Sequence, residues 1–315
     1  MRSFVIPRFL MMMFAAAVAV GLLCPAVFAD EAGTAARDIS AKYSAAVVKV
    51  GMVFKMQASM EGRGAQSNES KGEVIGTIID PSGLTVVSLY ETSPEDQWKA
   101  AGYSEDKGMS LTAEATSVKI RLAGGQEIPA KIVLRAEDLD LTFIRPQEKL
   151  ASPVPYVDLS QSTPLAQFDQ IVSIARLGRV TGRVSGGELA RVYAIIEKPR
   201  TSYVLNTMVP LGTPIFALDG KVAGIMVSQR LPTSSSDLSG PGSGYGDKQV
   251  YAVLPAEDVL ETAKQAPEQA IVETKPAPAV TAPKPAPAPT PKPAPKPTAK
   301  PTPKPTAKPT PKTVK

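Results

Sequence analysis

The chain has 315 residues and a formal net charge of +5, and it contains one cysteine and no histidine. The absence of histidine excludes Ser-His-Asp and Cys-His catalytic mechanisms, which need an imidazole as the base. Because zinc and copper are held mainly by histidine and cysteine, we also expect no metal and no cofactor.

Residues 1–29 have the pattern of a secretory signal peptide. Arg2 and Arg8 precede an apolar segment that continues to Leu23, and small residues lead up to Ala29. We predict cleavage after Ala29 and export to the periplasm, the cell envelope or the extracellular medium. An uncleaved membrane anchor is the alternative. Cys24 would leave with the signal peptide, so the mature chain would have no disulfide.

Residues 30–45 form a lead-in segment with a helical pattern, and the domain that follows spans 46–265. In that domain short β-branched segments alternate with glycine, proline, asparagine and aspartate, which is typical of an all-β barrel or sandwich. A short helix is predicted after Pro255. The predicted strands are 46–54, 73–79, 84–89, 117–122, 127–134, 140–145, 169–175, 179–184, 189–197, 203–207, 214–218, 221–228 and 249–254. The segments expected to interrupt the strand pattern are 57–72, 92–116 and 231–248.

Residues 266–315 form a tail rich in proline, lysine, alanine and threonine, which we predict to be disordered. Of the 35 basic residues, nine lie between Lys275 and Lys315 and two lie in the signal segment. The remaining 24 basic residues and all 30 acidic residues lie in 30–274, so this range carries a net charge of −6. The basic character therefore belongs to the tail, and we expect no nucleic-acid binding. The tail is either a spacer or an arm that binds an anionic envelope polymer or a membrane surface.

Five segments of the domain carry a family resemblance: GTIIDPSGLTVVSLYET (76–92), IRLAGGQEIPAKIVLRAEDLDLTFIRP (120–146), GRVTGRVSGGEL (178–189), PLGTPIFALDGKVAGIMVSQ (210–229) and VYAVLPAEDVLE (250–261). In this order they resemble the trypsin-like protease domain of the HtrA/Deg family. The resemblance covers about residues 45–262 and implies a double β-barrel of two six-stranded barrels, followed by the short helix. A β-sandwich remains the alternative fold.

Carried over residue by residue, the resemblance places the catalytic histidine position at Tyr90, the aspartate position at Asp140 and the serine position at Leu211. Only the aspartate is retained, and leucine has no hydroxyl with which to attack a carbonyl. Pro210, just before this position, also has no backbone N–H to offer an oxyanion. We therefore expect no catalytic residues. Asp140 is expected to be structural, with a carboxylate that accepts backbone N–H groups or the Tyr90 hydroxyl.

The family pairs an extended substrate with the strand after the nucleophile loop, and that pairing needs no catalytic residue. The corresponding candidate peptide-binding residues are Ile225, Met226, Val227, Ser228 and Gln229. The sequence thus predicts an exported pseudoprotease that binds extended peptides or envelope proteins as a scaffold. Two alternatives are a hydrolase with another mechanism and a cationic wall binder with an inert β-domain. The sequence leaves the oligomeric state open.

Overall fold

A computed structural model of the chain describes residues 30–60, 63–103, 108–230 and 249–267. The predicted signal peptide, the predicted interruption at 231–248 and residues 268–315 of the tail lie outside the described residues. Four α-helices are described: α1 (Glu31–Tyr43), α2 (Leu89–Thr92), α3 (Pro94–Ala100) and α4 (Ala256–Ala263). None of the helices in these ranges is long and apolar enough to cross a membrane.

Six strands form the first barrel, and each pairs antiparallel with its neighbours. They are β1 (Val47–Met60), β2 (Arg63–Ile78), β3 (Thr85–Ser88), β4 (Met109–Arg121), β5 (Glu127–Ala136) and β6 (Leu141–Pro146). The barrel closes in the order β1-β2-β3-β6-β5-β4. Val48, Val50 and Ile120 are among the alternate residues that fill its interior.

The second barrel repeats this arrangement. Its strands are β7 (Gln170–Arg176), β8 (Ser185–Ile196), β9 (Ser202–Leu205), β10 (Pro214–Ala217), β11 (Val222–Arg230) and β12 (Gln249–Pro255). They close in the order β7-β8-β9-β12-β11-β10, the same connectivity as in the first barrel. The predicted double barrel is therefore confirmed, and a sandwich of two open sheets is excluded.

The predicted strand 179–184 is wrong. This segment is a loop with one turn of 3-10 helix at Arg179–Thr181, and β8 begins only at Ser185. Gly182 and Arg183 have φ angles of 69° and 57°, and this left-handed conformation ends an extended strand. The β-branched side chain of Val180 is fully exposed, so this residue does not contribute to the hydrophobic core.

The expected interruption at 57–72 is also wrong, because most of this segment continues β1 and β2. The two strands pair from Val47↔Thr77 outward to Met60↔Arg63, with one irregularity near the tip. The polar composition of the segment suggested a loop. A hairpin that extends beyond its barrel can carry such residues, because backbone hydrogen bonds hold it and its side chains meet water.

A shared hydrophobic cluster joins the two barrels. It contains Phe143 from the first barrel, Phe216 and Ile225 from the second, and Tyr43 from α1. The Tyr43 and Phe216 rings stack with centroids 4.6 Å apart. Because side chains from both barrels fill one cluster, the boundary between the barrels is a packed interface that can position site residues.

Candidate functional site

The structure brings the three triad-equivalent positions to the boundary between the barrels. Pairing of β3 with β6 places Ser88 opposite Leu141, so Tyr90 and Asp140 come together at the ends of neighbouring strands. Leu211 lies in the loop before β10, in the core cluster of the second barrel. The Tyr90 side chain packs against that same cluster.

Asp140 is buried, with 7% of its surface exposed, and its carboxylate is a hydrogen-bond acceptor for both barrels. Oδ1 accepts the Tyr90 backbone N–H at 2.7 Å. Oδ2 accepts the Ser88 hydroxyl at 2.7 Å and the Ser228 backbone N–H at 2.6 Å. Two backbone N–H groups and a hydroxyl thus stabilise the carboxylate, and the group links the barrels through Ser228.

The loop that corresponds to the nucleophile loop has its backbone fixed by both barrels. Gly212 donates its N–H to the Met226 carbonyl at 2.8 Å and accepts the Thr77 hydroxyl at 2.8 Å. Its φ is +76°, and a Cβ there would lie 2.3 Å from the Ile75 carbonyl oxygen, so only glycine fits. The adjacent Leu211 side chain, 7% exposed, is part of the second barrel's core.

The remaining hydroxyl of this loop is not a replacement for the missing serine. Thr213 is fully buried, and among the described residues its Oγ1 has no hydrogen-bond partner. A hydroxyl becomes a nucleophile only when a base can take its proton and a substrate can reach it. Thr213 meets neither condition.

The family model "Trypsin-like peptidase domain" matches residues 74–225, which hold all three triad-equivalent positions. The chain therefore has a trypsin-like double-barrel fold. Among solved structures, the apo MamO protease domain from Magnetospirillum magneticum is similar, with 15% identity and a TM-score of 0.41. That similarity covers 70% of this chain and 97% of the MamO domain. No curated protein sequence matches.

A cavity of about 350 Å³ opens beside Asp140 in the trypsin-like domain. Tyr90 and Ser228 line it together with Asp140, so it lies at two of the three triad-equivalent positions, while Leu211 is not among its lining residues. Two basic side chains, Lys99 and Arg135, also reach it. The other carboxylates in its wall are Glu95, Asp96, Glu137 and Asp138. Acidic groups therefore outnumber basic groups by five to two in the wall of this cavity.

Two ionisable side chains near the site were not singled out from the sequence. Glu91 follows Tyr90 in α2, and its Oε2 is buried without a hydrogen-bond partner in the described part of the chain. Burial raises the pKa of Glu91 to about 7; the charge of Asp140 adds to the effect and that of Lys49 opposes it. Lys49 on β1 is only 8% exposed, and burial lowers its pKa.

The candidate peptide-binding segment is partly occupied within the barrel. Ile225 pairs with Pro214 on one side and with Leu254 on the other. Met226 accepts from Gly212 and donates to Thr213 at 2.9 Å. The candidate segment therefore cannot be open to a peptide along its whole length.

Beyond Met226, the described pairing of β11 with β10 has ended, while its pairing with β12 continues to Arg230↔Gln249. Backbone groups alternate between the two sides of a strand. Met226, Ser228 and Arg230 therefore direct their N–H and C=O groups away from β12, and Val227 and Gln229 direct theirs towards it. The Ser228 N–H is bonded to Asp140.

The residues described in the structure contain no group of three or more Asp, Glu, Cys or His side chains that could hold a metal ion.

Proposed function

We propose that this protein is an exported, HtrA-type trypsin-like domain without peptidase activity that binds extended peptides as a scaffold in the cell envelope. The observation that carries the proposal is that the position of the nucleophile holds Leu211, buried in the core, in a chain without histidine. The fold supports peptide binding because strand addition uses backbone groups only.

The chemistry of the site supports loss of peptidase activity. Attack on a peptide bond needs a nucleophile, a base and an oxyanion site. Leucine provides no nucleophile, and a tyrosine phenol such as that of Tyr90 lacks the imidazole nitrogen that takes the proton in this mechanism. The Asp140 carboxylate is engaged with Ser88, Tyr90 and Ser228. What the site retains is a structural hydrogen-bond acceptor.

Peptide binding is proposed at the end of β11, on the side opposite β12. Met226 is already paired there, and Ser228 donates to Asp140, so Arg230 is the position whose backbone groups we assign to the peptide. The cavity beside Asp140 is lined mainly by carboxylates and includes Ser228 of the same strand. Electrostatic complementarity therefore favours a peptide with a lysine or arginine side chain near the cavity.

Peptide binding is tested with an Arg230→Pro variant, which removes the backbone N–H on the side opposite β12. Arg230→Ala is the matched control, because it removes the side chain and keeps the N–H. Fluorescence anisotropy with labelled extended peptides should show at least about tenfold weaker binding for Arg230→Pro than for Arg230→Ala. A basic peptide should bind more tightly than its acidic counterpart, and equal affinity of the two variants would contradict binding at this position.

The proposed loss of activity is tested separately by incubating the purified chain with casein and a peptide library. We expect no cleavage at neutral or alkaline pH. Cleavage that persists through purification and disappears in an Asp140→Ala variant would support the alternative, a hydrolase with another mechanism.

The tail supports a second role, as an arm for an anionic envelope polymer or a membrane surface. The nine lysines between Lys275 and Lys315, a stretch that contains no acidic residue, are the supporting observation. Deletion of residues 266–315 should abolish retention on anionic cell-wall polymers or anionic vesicles and leave peptide affinity unchanged. Retention that survives both the deletion and about 1 M salt would contradict an electrostatic arm.

A further inference from the structure

Glu91 and Lys49 are ionisable groups of opposite charge at the barrel interface. The Oε2 of Glu91 is buried and has no hydrogen-bond partner among the described residues, and Lys49 is almost fully buried. Burying a charge without a hydrogen-bonded partner is costly, so such a group is held neutral or moves when it ionises. Ionisation of Glu91 is therefore costly in the observed arrangement.

The groups around this pair come from several elements. Asp140 at the start of β6 faces Glu91 and disfavours its ionisation, whereas Lys49 on β1 favours it. Lys49 in turn faces Glu73 on β2 and two cations of the second barrel, Arg183 and Arg176. Glu73 is already paired with Arg183. Glu91 is thus the carboxylate of this group with the least compensation.

The position of Glu91 connects it to the cavity. It lies in α2, and Leu89 and Tyr90 of this helix form part of the cavity wall. The Gln97 side chain on α3 donates to the Tyr90 and Glu91 carbonyl oxygens at 2.9 and 3.3 Å. A displacement of Glu91 would therefore move the wall of the cavity and α3 together.

We propose that Glu91 is a proton-controlled switch: the neutral carboxyl group remains buried while α2 keeps its packed position, and the ionised group leaves the buried position, which releases α2 and reshapes the cavity beside Asp140. In the released state the carboxylate turns towards Lys49 or water, and Tyr90 moves with it. The device would make ligand access to the cavity dependent on pH near neutrality.

The chain is well suited to a test because it has no histidine and one tryptophan. The pKa of Glu91, raised to about 7 by burial, lies where few other side chains titrate. Trp98 lies on α3 beside Gln97, and its ring packs on Tyr103 with centroids 4.3 Å apart. Its fluorescence therefore reports on the α2–α3 region.

The experiment is a fluorescence titration of the full chain between about pH 5 and about pH 9. We expect one transition with a midpoint near 7 in the wild type and none in Glu91→Gln, which mimics the neutral acid. Glu114→Gln, an exposed carboxylate of the same barrel, should keep the wild-type transition. A transition that persists in Glu91→Gln, or its absence in the wild type, overturns the proposal.

Lys49→Met provides a second test that does not depend on the folding of Glu91→Gln. Removing the lysine charge removes the attraction that favours ionised Glu91, so the midpoint should rise by on the order of one pH unit. An unchanged or lowered midpoint overturns the proposal.

The stability of the protein gives a third measurement with a defined sign. The native state holds the Glu91 proton up to about 7, whereas the ordinary pKa is 4.5. Between these values the native state binds more protons than the unfolded state, so stability decreases as pH rises through this window. Urea unfolding should show a smaller decrease for Glu91→Gln than for Glu114→Gln, and equal decreases would contradict the assignment.

Discussion

Asp140 has contacts that give an aspartate at this position a structural role. It has a φ of 58° and a ψ of 36°, a left-handed conformation that aspartate and asparagine tolerate better than most residues. Its carboxylate accepts from Tyr90, Ser88 and Ser228, so it fixes the end of β3 and binds β11 of the other barrel. These contacts are sufficient to explain an aspartate at this position without catalysis.

Asp140→Asn should therefore be destabilising. Asparagine keeps the shape and the left-handed backbone. Its NH₂ group, however, would replace one of the two carboxylate oxygens and would face a hydrogen-bond donor that it cannot accept. We expect a loss of on the order of 2 kcal/mol in the free energy of unfolding, measured in urea. Asp138→Asn is the matched control, because Asp138 is exposed and its contact with Arg200 is a surface ion pair. Equal losses would argue against the hydrogen bonds as the cause.

At the scale of elements, the loop before β10 is set by backbone requirements. Gly212 brings the loop against the Ile75 carbonyl of the first barrel, and the loop's hydrogen bonds to Thr77 and Met226 depend on this close approach. The loop is therefore fixed by its backbone contacts, and its Leu211 side chain packs in the core of the second barrel.

Gly212→Ala tests this requirement. The added Cβ would meet the Ile75 carbonyl oxygen at 2.3 Å in a backbone conformation that alanine disfavours. We expect a destabilisation of at least about 3 kcal/mol, seen as a lower midpoint of thermal or urea unfolding. Gly124→Ala, at a turn where a Cβ has open space, should change stability little. A comparable stability for the two variants would show that the loop can move away.

Strand patterns predict most of this fold because β-branched segments and turn residues alternate along the chain. They fail where local composition and tertiary position disagree. In 179–184 the β-branched residues lie in an exposed loop, and in 57–72 polar residues lie in a long hairpin. The order of the motifs predicts the double barrel, and strand pairing within that fold brings Tyr90, Asp140 and Leu211 to the boundary between the barrels.

The Glu91–Lys49 pair could not be predicted in the same way. Lys49 is in the segment VVKVG, and a lysine that alternates with valine is expected to face water. On β1 it instead faces the second barrel. The alternation of residues along the sequence does not predict where that barrel packs. The raised pKa of Glu91 has the same origin, since its burial depends on how two distant parts of the chain meet.

At the scale of the whole molecule, a buried arginine connects the second barrel to the first. Arg176 on β7 donates to the carbonyl oxygens of Val47 in β1 and of Ser44 just after α1, and to the Arg183 carbonyl within its own barrel. Only the planar, five-donor guanidinium can reach three carbonyls from one position. The relative position of the barrels therefore depends on a side chain whose partners are all backbone atoms.

Arg176→Lys should weaken this connection although the charge is kept. The ammonium group cannot satisfy the three carbonyls together, and we expect a loss of on the order of 2 kcal/mol in the free energy of unfolding. Arg191→Lys is the control, because Arg191 is exposed and bonds one carbonyl, that of Phe168. Similar unfolding midpoints for the two variants would contradict an anchoring role for Arg176.

The contacts of Asp140 also have a consequence for the order in which the chain acquires its structure. Ser88 and Tyr90 precede it by 52 and 50 residues, whereas Ser228 follows it by 88 residues. A chain that emerges from its N-terminus completes the first barrel before Ser228 exists, so this carboxylate first forms in contact with water. It loses that water only when β11 arrives. Docking of the second barrel thus removes water from the Asp140 carboxylate. A substitution at Asp140 would delay this late step of folding.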